Sequence, residues 1–170
     1  MAPPELQFPI DPYDTGEYYR FGDVIRRRVI LWAVHLGDDV AAGAGTFVRA
    51  IGDGEVVWSE TRRGSMQRRN WGGLIVVKHD SFYSVYGHMS HLRVTKGARA
   101  ARSDILGEVA EGNTPENGYW ERPHLHFGIY TGPWRDEVLP GWWRIEQFWR
   151  TKLRWWHDPR MFLRSRDGSP

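Results

Sequence analysis

At 170 residues, with 41% hydrophobic and 26% charged residues, the chain has the size and composition of one globular domain with its own core. A net charge of +2, from 23 basic and 21 acidic residues, is too small to argue for nucleic acid as a partner. With no cysteine, disulfides, thiolate metal sites and a cysteine nucleophile are excluded together, and no stretch is long and apolar enough to predict a membrane span.

Residues 1–30 are rich in Pro, Asp, Tyr and Arg and show little periodicity, which predicts a wrapped, irregular N-terminal arm. The opening Met1-Ala2-Pro3-Pro4-Glu5 has neither the basic nor the apolar region of an export signal. Val29-Ile30-Leu31-Trp32-Ala33-Val34 reads as the first strand. Next, 46–51 and 55–58 flank Gly52-Asp53-Gly54 and predict a hairpin. A second hairpin is predicted from 73–79 and 82–86 around Asp80-Ser81, and 105–109 and 124–130 read as further strands. The polar, Gly-containing segments 61–70 and 111–122 read as loops. Two basic stretches, Arg62, Arg63, Arg68 and Arg69, then Arg93, Lys96, Arg99 and Arg102, read as solvated loops.

From Trp142 to Trp156 the apolar residues Ile145, Phe148, Trp149, Leu153 and Trp156 recur at helical spacing. Pro140-Gly141 precede the run and Asp158-Pro159 follow it as start and stop signals. The expectation is one amphipathic, Trp-rich helix within 140–157, packed on the sheet by its apolar face. No internal repeat appears, so 1–170 is expected to be a single domain with its core in 31–132 and 158–163.

Four of the seven histidines fall in three short segments beside a carboxylate. His35 and Asp39 stand in His35-Leu36-Gly37-Asp38-Asp39, His88 in Tyr86-Gly87-His88-Met89-Ser90, and His124 and His126 in Pro123-His124-Leu125-His126-Phe127. In a strand, residues i and i+2 share a face, so His124 and His126 stand side by side while Leu125 and Phe127 turn away. One imidazole can then hold a metal while the other reaches a metal-activated water. Asp38 is an alternative to Asp39, but in an extended segment it points away from His35. A lone histidine is more often structural than a ligand. The joint pattern is stronger, because three separated segments each supply the required residue type. His79, His91 and His157 read as structural or surface residues.

These motifs resemble those of the LytM/lysostaphin-type zinc metallopeptidases that cut peptidoglycan. The likeness lies in the order His-x-x-x-Asp, Tyr-x-His-x-Ser and Pro-His-Leu-His-Phe. It extends to Ala50-Ile51-Gly52-Asp53-Gly54-Glu55-Val56-Val57, to the strand 71–79, to Val94-Thr95-Lys96-Gly97 with Ile105-Leu106-Gly107, and to Asp158-Pro159 with Phe162-Leu163. The resemblance runs from about residue 32 to 163. It implies a mainly β, antiparallel, barrel-sandwich-like domain with one Zn2+ at the floor of a groove. His35, Asp39 and His126 would be the metal ligands, His124 the general base and His88 the second catalytic histidine. It further implies a peptidoglycan peptide as substrate and a cell-envelope or secreted location, with a monomer expected.

The chain departs from the family pattern in two places. The segment 114–122 carries Tyr119 and Trp120 where the family has small residues. No Asn occurs before residue 35 to serve as the upstream ligand of latent members. The alternative reading is a non-catalytic LytM-like module that binds cell wall or activates other wall hydrolases. Such modules lose ligands or catalytic histidines, whereas here all five positions are filled. A lipoyl-type carrier would need a lysine at the 52–54 turn, and a serine hydrolase would need a Gly-x-Ser-x-Gly elbow; neither is present.

Overall fold

Two apolar sets alternate along the strands, and that alternation builds the molecule. The computed structural model describes residues 5–27, 30–62, 70–144 and 151–166, without the side chains of 27 and 30–32. The strands are β1 (Val24–Arg27), β2 (Ile30–His35), β3 (Asp38–Ala41), β4 (Phe47–Arg49), β5 (Gly54–Arg62), β6 (Gly72–Lys78), β7 (Tyr83–Gly87), β8 (Met89–Ser90), β9 (Arg99–Ala100), β10 (Ile105–Val109), β11 (His124–Tyr130), β12 (Trp142–Trp143) and β13 (Trp156–His157). One α-helix, α1 (Pro159–Arg164), closes the described chain.

All pairings among the described residues are antiparallel. The main sheet has the order β13-β11-β7-β6-β5-β9, with β3 also paired to β11. Two three-stranded sheets, β1-β2-β12 and β4-β10-β8, complete the architecture. On β6, Ile75 and Val77 enter one apolar cluster while Leu74 and Val76 enter another. Strand β11 obeys the same period of two. Leu125, Phe127 and Ile129 join the first cluster, and Tyr130 joins the second. The central strands are therefore buried on both faces, and each fully buried Leu, Ile or Phe contributes about 1.5–3 kcal/mol.

All seven residues of β11 are buried. It is held on one side by β7, with His126 opposite Gly87, and on the other by β3, with His126 opposite Asp39. The predicted strands 73–79, 82–86, 105–109 and 124–130 are present, and the hairpin at Asp80-Ser81 joins β6 to β7.

The hairpin expected at Gly52-Asp53-Gly54 is corrected. β4 pairs with β10, whereas β5 pairs with β6 and β9. The turn carries the chain from one sheet to another. It is anchored to the 101–104 loop, where Asp53 Oδ1 accepts the Arg102 N–H at 2.7 Å and Ala50 bonds Ser103 and Asp104.

The helix expected within 140–157 is corrected at both ends. Trp142 and Trp143 pair with β2, opposite His35 and Val34. Leu153–Trp155 form one 3-10 turn, and Trp156–His157 pair with Tyr130 and Ile129. Aromatic side chains favour half-buried pleated positions; Trp143 and Trp156 pack on the second cluster from strands, and Trp155 joins them from the 3-10 turn. The middle of the predicted helix, 145–150, lies outside the described residues. Asp158-Pro159, expected as a stop, starts α1 instead. The Asp158 carboxylate caps the helix by accepting the Met161 N–H at 3.0 Å, and Pro159 takes the first turn, where its missing N–H costs nothing.

From 5 to 23 the arm has no strand and lies along the main body. Leu6 and Ile10 are buried in the first cluster, and the Ala41 and Asp39 N–H groups bond the carbonyls of Asp14 and Tyr19. Of the basic residues described, Arg93 pairs with Glu108, Lys96 with Asp136 and Arg102 with Glu5, at solvent-accessible positions where such pairs add little. No helix among the described residues is long and apolar enough to cross a membrane.

Candidate metal centre

Three elements deliver the candidate ligands. β2 ends in His35, β3 carries Asp39, and β11 carries His126 directly opposite Asp39. His35 Nε2 lies 3.1 Å from His126 Nδ1 and 3.3 Å from Asp39 Oδ1, and His126 Nδ1 lies 3.0 Å from the same Asp39 oxygen. All three residues are buried, Asp39 to 6% exposure. Ligand atoms around a tetrahedral zinc ion stand about 3.3 Å apart, so this triangle matches that size.

The donor set also matches electrically. His35 Nδ1 faces the Arg20 carbonyl at 3.2 Å. A carbonyl only accepts, so that nitrogen carries the proton, and in the neutral ring Nε2 is a bare lone pair. It points at a carboxylate oxygen that has no hydrogen bond of its own among the described residues. Lone pairs converging in a buried place repel one another unless a cation or a proton lies between them. Two imidazoles and a carboxylate suit zinc.

Beside this triangle stand His88 and His124, with ring centroids 4.6 Å apart. The Nδ1–H of His124 donates to the Arg122 carbonyl at 2.9 Å, which leaves Nε2 free to accept a proton, 3.9 Å from Asp39 Oδ2. His88 sits in the left-handed region at φ 64, and its Nδ1 has no partner among the described residues. Burial, with the neighbouring His124, pushes His88 well below the ordinary imidazole value. Burial pushes His126 down to about 4 against the pull of Asp39. For Asp39, burial acts upward, but the adjacent His126 and His35 rings more than offset it, and the carboxyl stays well below the usual range. At neutral pH the site therefore holds the Asp39 carboxylate with His88 and His126 neutral.

Aromatic rings wall the cluster. Trp142 and Tyr19 lie over His35 at 4.4 and 5.7 Å between centroids. Trp71 meets His126 at 4.7 Å and is anchored by its indole N–H to the Leu139 carbonyl. Tyr18 packs on His124, and Trp120 reaches both His88 and His124. Thus the 111–122 loop and the arm both border the site.

All five residues singled out in the sequence are brought together. Asp38 points to the opposite face, toward Tyr13 and Phe21. His79 is a structural histidine, donating from Nδ1 to the Asp53 carbonyl and accepting at Nε2 from Ser84. His91 is exposed beside Glu108, and His157 bonds Thr131. Sequence reasoning missed the Arg20 carbonyl, Tyr18, Trp71 and Trp142. The Tyr18-Tyr19 pair was a readable signal as adjacent aromatics in the arm, whereas a backbone carbonyl leaves no trace in a sequence.

Residues 33–137 match peptidase family M23. The chain is 34% identical over 98 residues to the peptidoglycan DD-endopeptidase ShyA of Vibrio cholerae, covering 57% of this chain and 20% of that protein. It is 32% identical over 111 residues to a glycyl-glycine endopeptidase of Staphylococcus capitis, covering 61% and 26%. The chain thus spans about a fifth to a quarter of the length of these curated relatives. In three dimensions it resembles lysostaphin of Staphylococcus simulans, with a TM-score of 0.64 at 21% identity, covering 100% of this chain and 58% of that one.

Proposed function

The chain belongs to peptidase family M23, of the LytM/lysostaphin type, and on that premise we propose that it is a zinc-dependent endopeptidase acting on peptide bonds of bacterial cell-wall peptidoglycan. The observation that carries the proposal is the convergence of His35 Nε2, Asp39 Oδ1 and His126 Nδ1 beside the free Nε2 of His124. His35, Asp39 and His126 would hold the ion. When bound, zinc supplies Lewis acidity, lowering the pKa of a water toward about 7 and polarising a carbonyl.

The remaining steps belong to the chain itself. His124 takes the proton of the attacking water at Nε2, because its Nδ1–H is committed to Arg122. Its neighbour His88, neutral in its buried setting, donates a hydrogen bond to the developing oxyanion, and the proton held by His124 passes on to the leaving amine. Trp71, Trp120 and Tyr18 fix the imidazole planes and limit water around them. The relative named a peptidoglycan DD-endopeptidase supports peptidoglycan as the substrate class and the cell envelope as the place of action. The filled set of five residues weighs against a non-catalytic module.

The deciding experiment measures zinc content and lysis of purified peptidoglycan for the wild type and His124→Ala. The expected result is one zinc per chain in both, with lysis by the wild type alone. A wild type without zinc would overturn the metal reading, and wild-type lysis by His124→Ala would overturn the base assignment.

A further inference from the structure

We propose that Asp38 is a positioning residue of the metal centre, acting on His35 through a single peptide group of the N-terminal arm; this rests on the metal reading above. β3 presents Asp39 to the site and Asp38 to the opposite side. Asp38 is buried, and its two oxygens are spent on different partners. Oδ2 accepts the Tyr13 O–H at 2.8 Å, and Oδ1 accepts the Phe21 N–H at 2.9 Å.

The Phe21 N–H belongs to the same peptide group as the Arg20 carbonyl, and that carbonyl receives the Nδ1–H of His35 at 3.2 Å. A trans peptide is planar, with its N–H and C=O pointing in opposite directions. Fixing the N–H on Asp38 therefore helps to fix the direction of the carbonyl, which also accepts the Asp23 N–H at 3.1 Å. On the N-terminal side, the Asp39 N–H holds the Tyr19 carbonyl at 2.8 Å, so the peptide is pinned from both flanks by adjacent residues of β3.

The arrangement does more than hold the arm down. A carboxylate that accepts from an N–H polarises the whole amide and strengthens its oxygen as an acceptor. A stronger acceptor at Nδ1–H fixes the His35 tautomer and makes its Nε2 a better donor to a metal. Metal-binding histidines are commonly oriented by a carboxylate or a carbonyl. Here a carboxylate and a carbonyl act in series, with one peptide between them. Asp38 is thus tied to His35, whereas its neighbour Asp39 faces the ion directly.

The test compares the wild type, Asp38→Ala and Asp38→Asn by zinc competition with a chromophoric chelator, by the visible spectrum of the cobalt-loaded protein, and by the His35 Nδ1 proton resonance. Asp38→Ala is expected to bind zinc about 10–100-fold more weakly, with a changed cobalt spectrum. Asp38→Asn keeps an acceptor for Phe21 but loses the charge, and is expected to fall between, about threefold weaker with the Nδ1 proton shifted upfield. Wild-type zinc affinity in folded Asp38→Ala, whatever its melting temperature, overturns the proposal. Should that variant not fold, wild-type affinity and an unmoved Nδ1 resonance in Asp38→Asn overturn it. A wild type that binds no zinc overturns the metal reading instead.

Discussion

Gly37 lies between the two candidate ligands His35 and Asp39, and its missing side chain is what lets β11 approach. A Cβ at this position would stand 2.4 Å from the Phe127 carbonyl oxygen, 2.7 Å from His126 Nε2 and 2.9 Å from the Phe127 carbonyl carbon. Carbon and oxygen tolerate about 3.3 Å, so roughly 1 Å must be found. Two of the three obstructing atoms are backbone, in a strand clamped by β3 on one side and β7 on the other. The cost of Gly37→Ala therefore belongs at the upper end of overpacking, about 3 kcal/mol. For a domain of this size that lowers the melting temperature by about 6–12 °C. The third atom is the ring of a proposed ligand, so zinc affinity should fall by about tenfold or more. Gly43→Ala is the control, since no heavy atom lies within 4 Å of its built Cβ, and it should stay within about 0.5 kcal/mol of wild type. Calorimetry of zinc-loaded and chelated protein, with zinc competition, reads both effects. If Gly37→Ala melts and binds zinc like Gly43→Ala, the close approach of β2, β3 and β11 is not what shapes the site.

Three further outcomes are expected. Burial holds His79, His88 and His126 below the ordinary imidazole value of about 6.5, so the unfolded chain binds their protons more tightly. Stability of the metal-free protein should then be whole above about pH 6.5 and fall as pH drops below it; a flat melting profile from about pH 7.5 to about pH 5 would refute this. Chelation should lower the melting temperature and added zinc restore it, because an ion bound by the folded state alone stabilises it by mass action; equal melting with and without chelator would count against the metal centre. Asp158→Ala removes the cap of α1 and should cost about 1 kcal/mol in denaturant titration, whereas Met161→Ala, 72% exposed, should cost little.

The parts legible in the sequence were those written in local periodicity. His124 and His126 alternate with Leu125 and Phe127, and that rule alone set one face toward chemistry and the other toward the core. The choice of Asp39 over Asp38 follows from the same alternation. Turn chemistry at Gly52-Asp53-Gly54 marked the bend between β4 and β5, but the hairpin inferred from it is absent, because a turn does not state which sheet receives the next strand. That was decided by long-range bonds from Ala50 to the 103–104 loop and by the pairing of β5 with β6.

The tryptophans from 142 to 156 show a different limit. Apolar residues three or four apart satisfy a helical period, yet of that set Leu153 lies exposed in a 3-10 turn and Trp156 lies on β13, packed on the second cluster. Trp143 on β12 and Trp155 in the 3-10 turn pack on the same cluster from outside the period. Asp158-Pro159 carried a two-sided signal. A proline that cannot continue a helix before it is well placed to begin one after it, and the Asp158 carboxylate on the Met161 N–H selects the second role. The Arg20 carbonyl lies beyond any such reading. Its position depends on the arm meeting β3, so its part in the site follows from Asp38 and Asp39 together and from neither residue type alone.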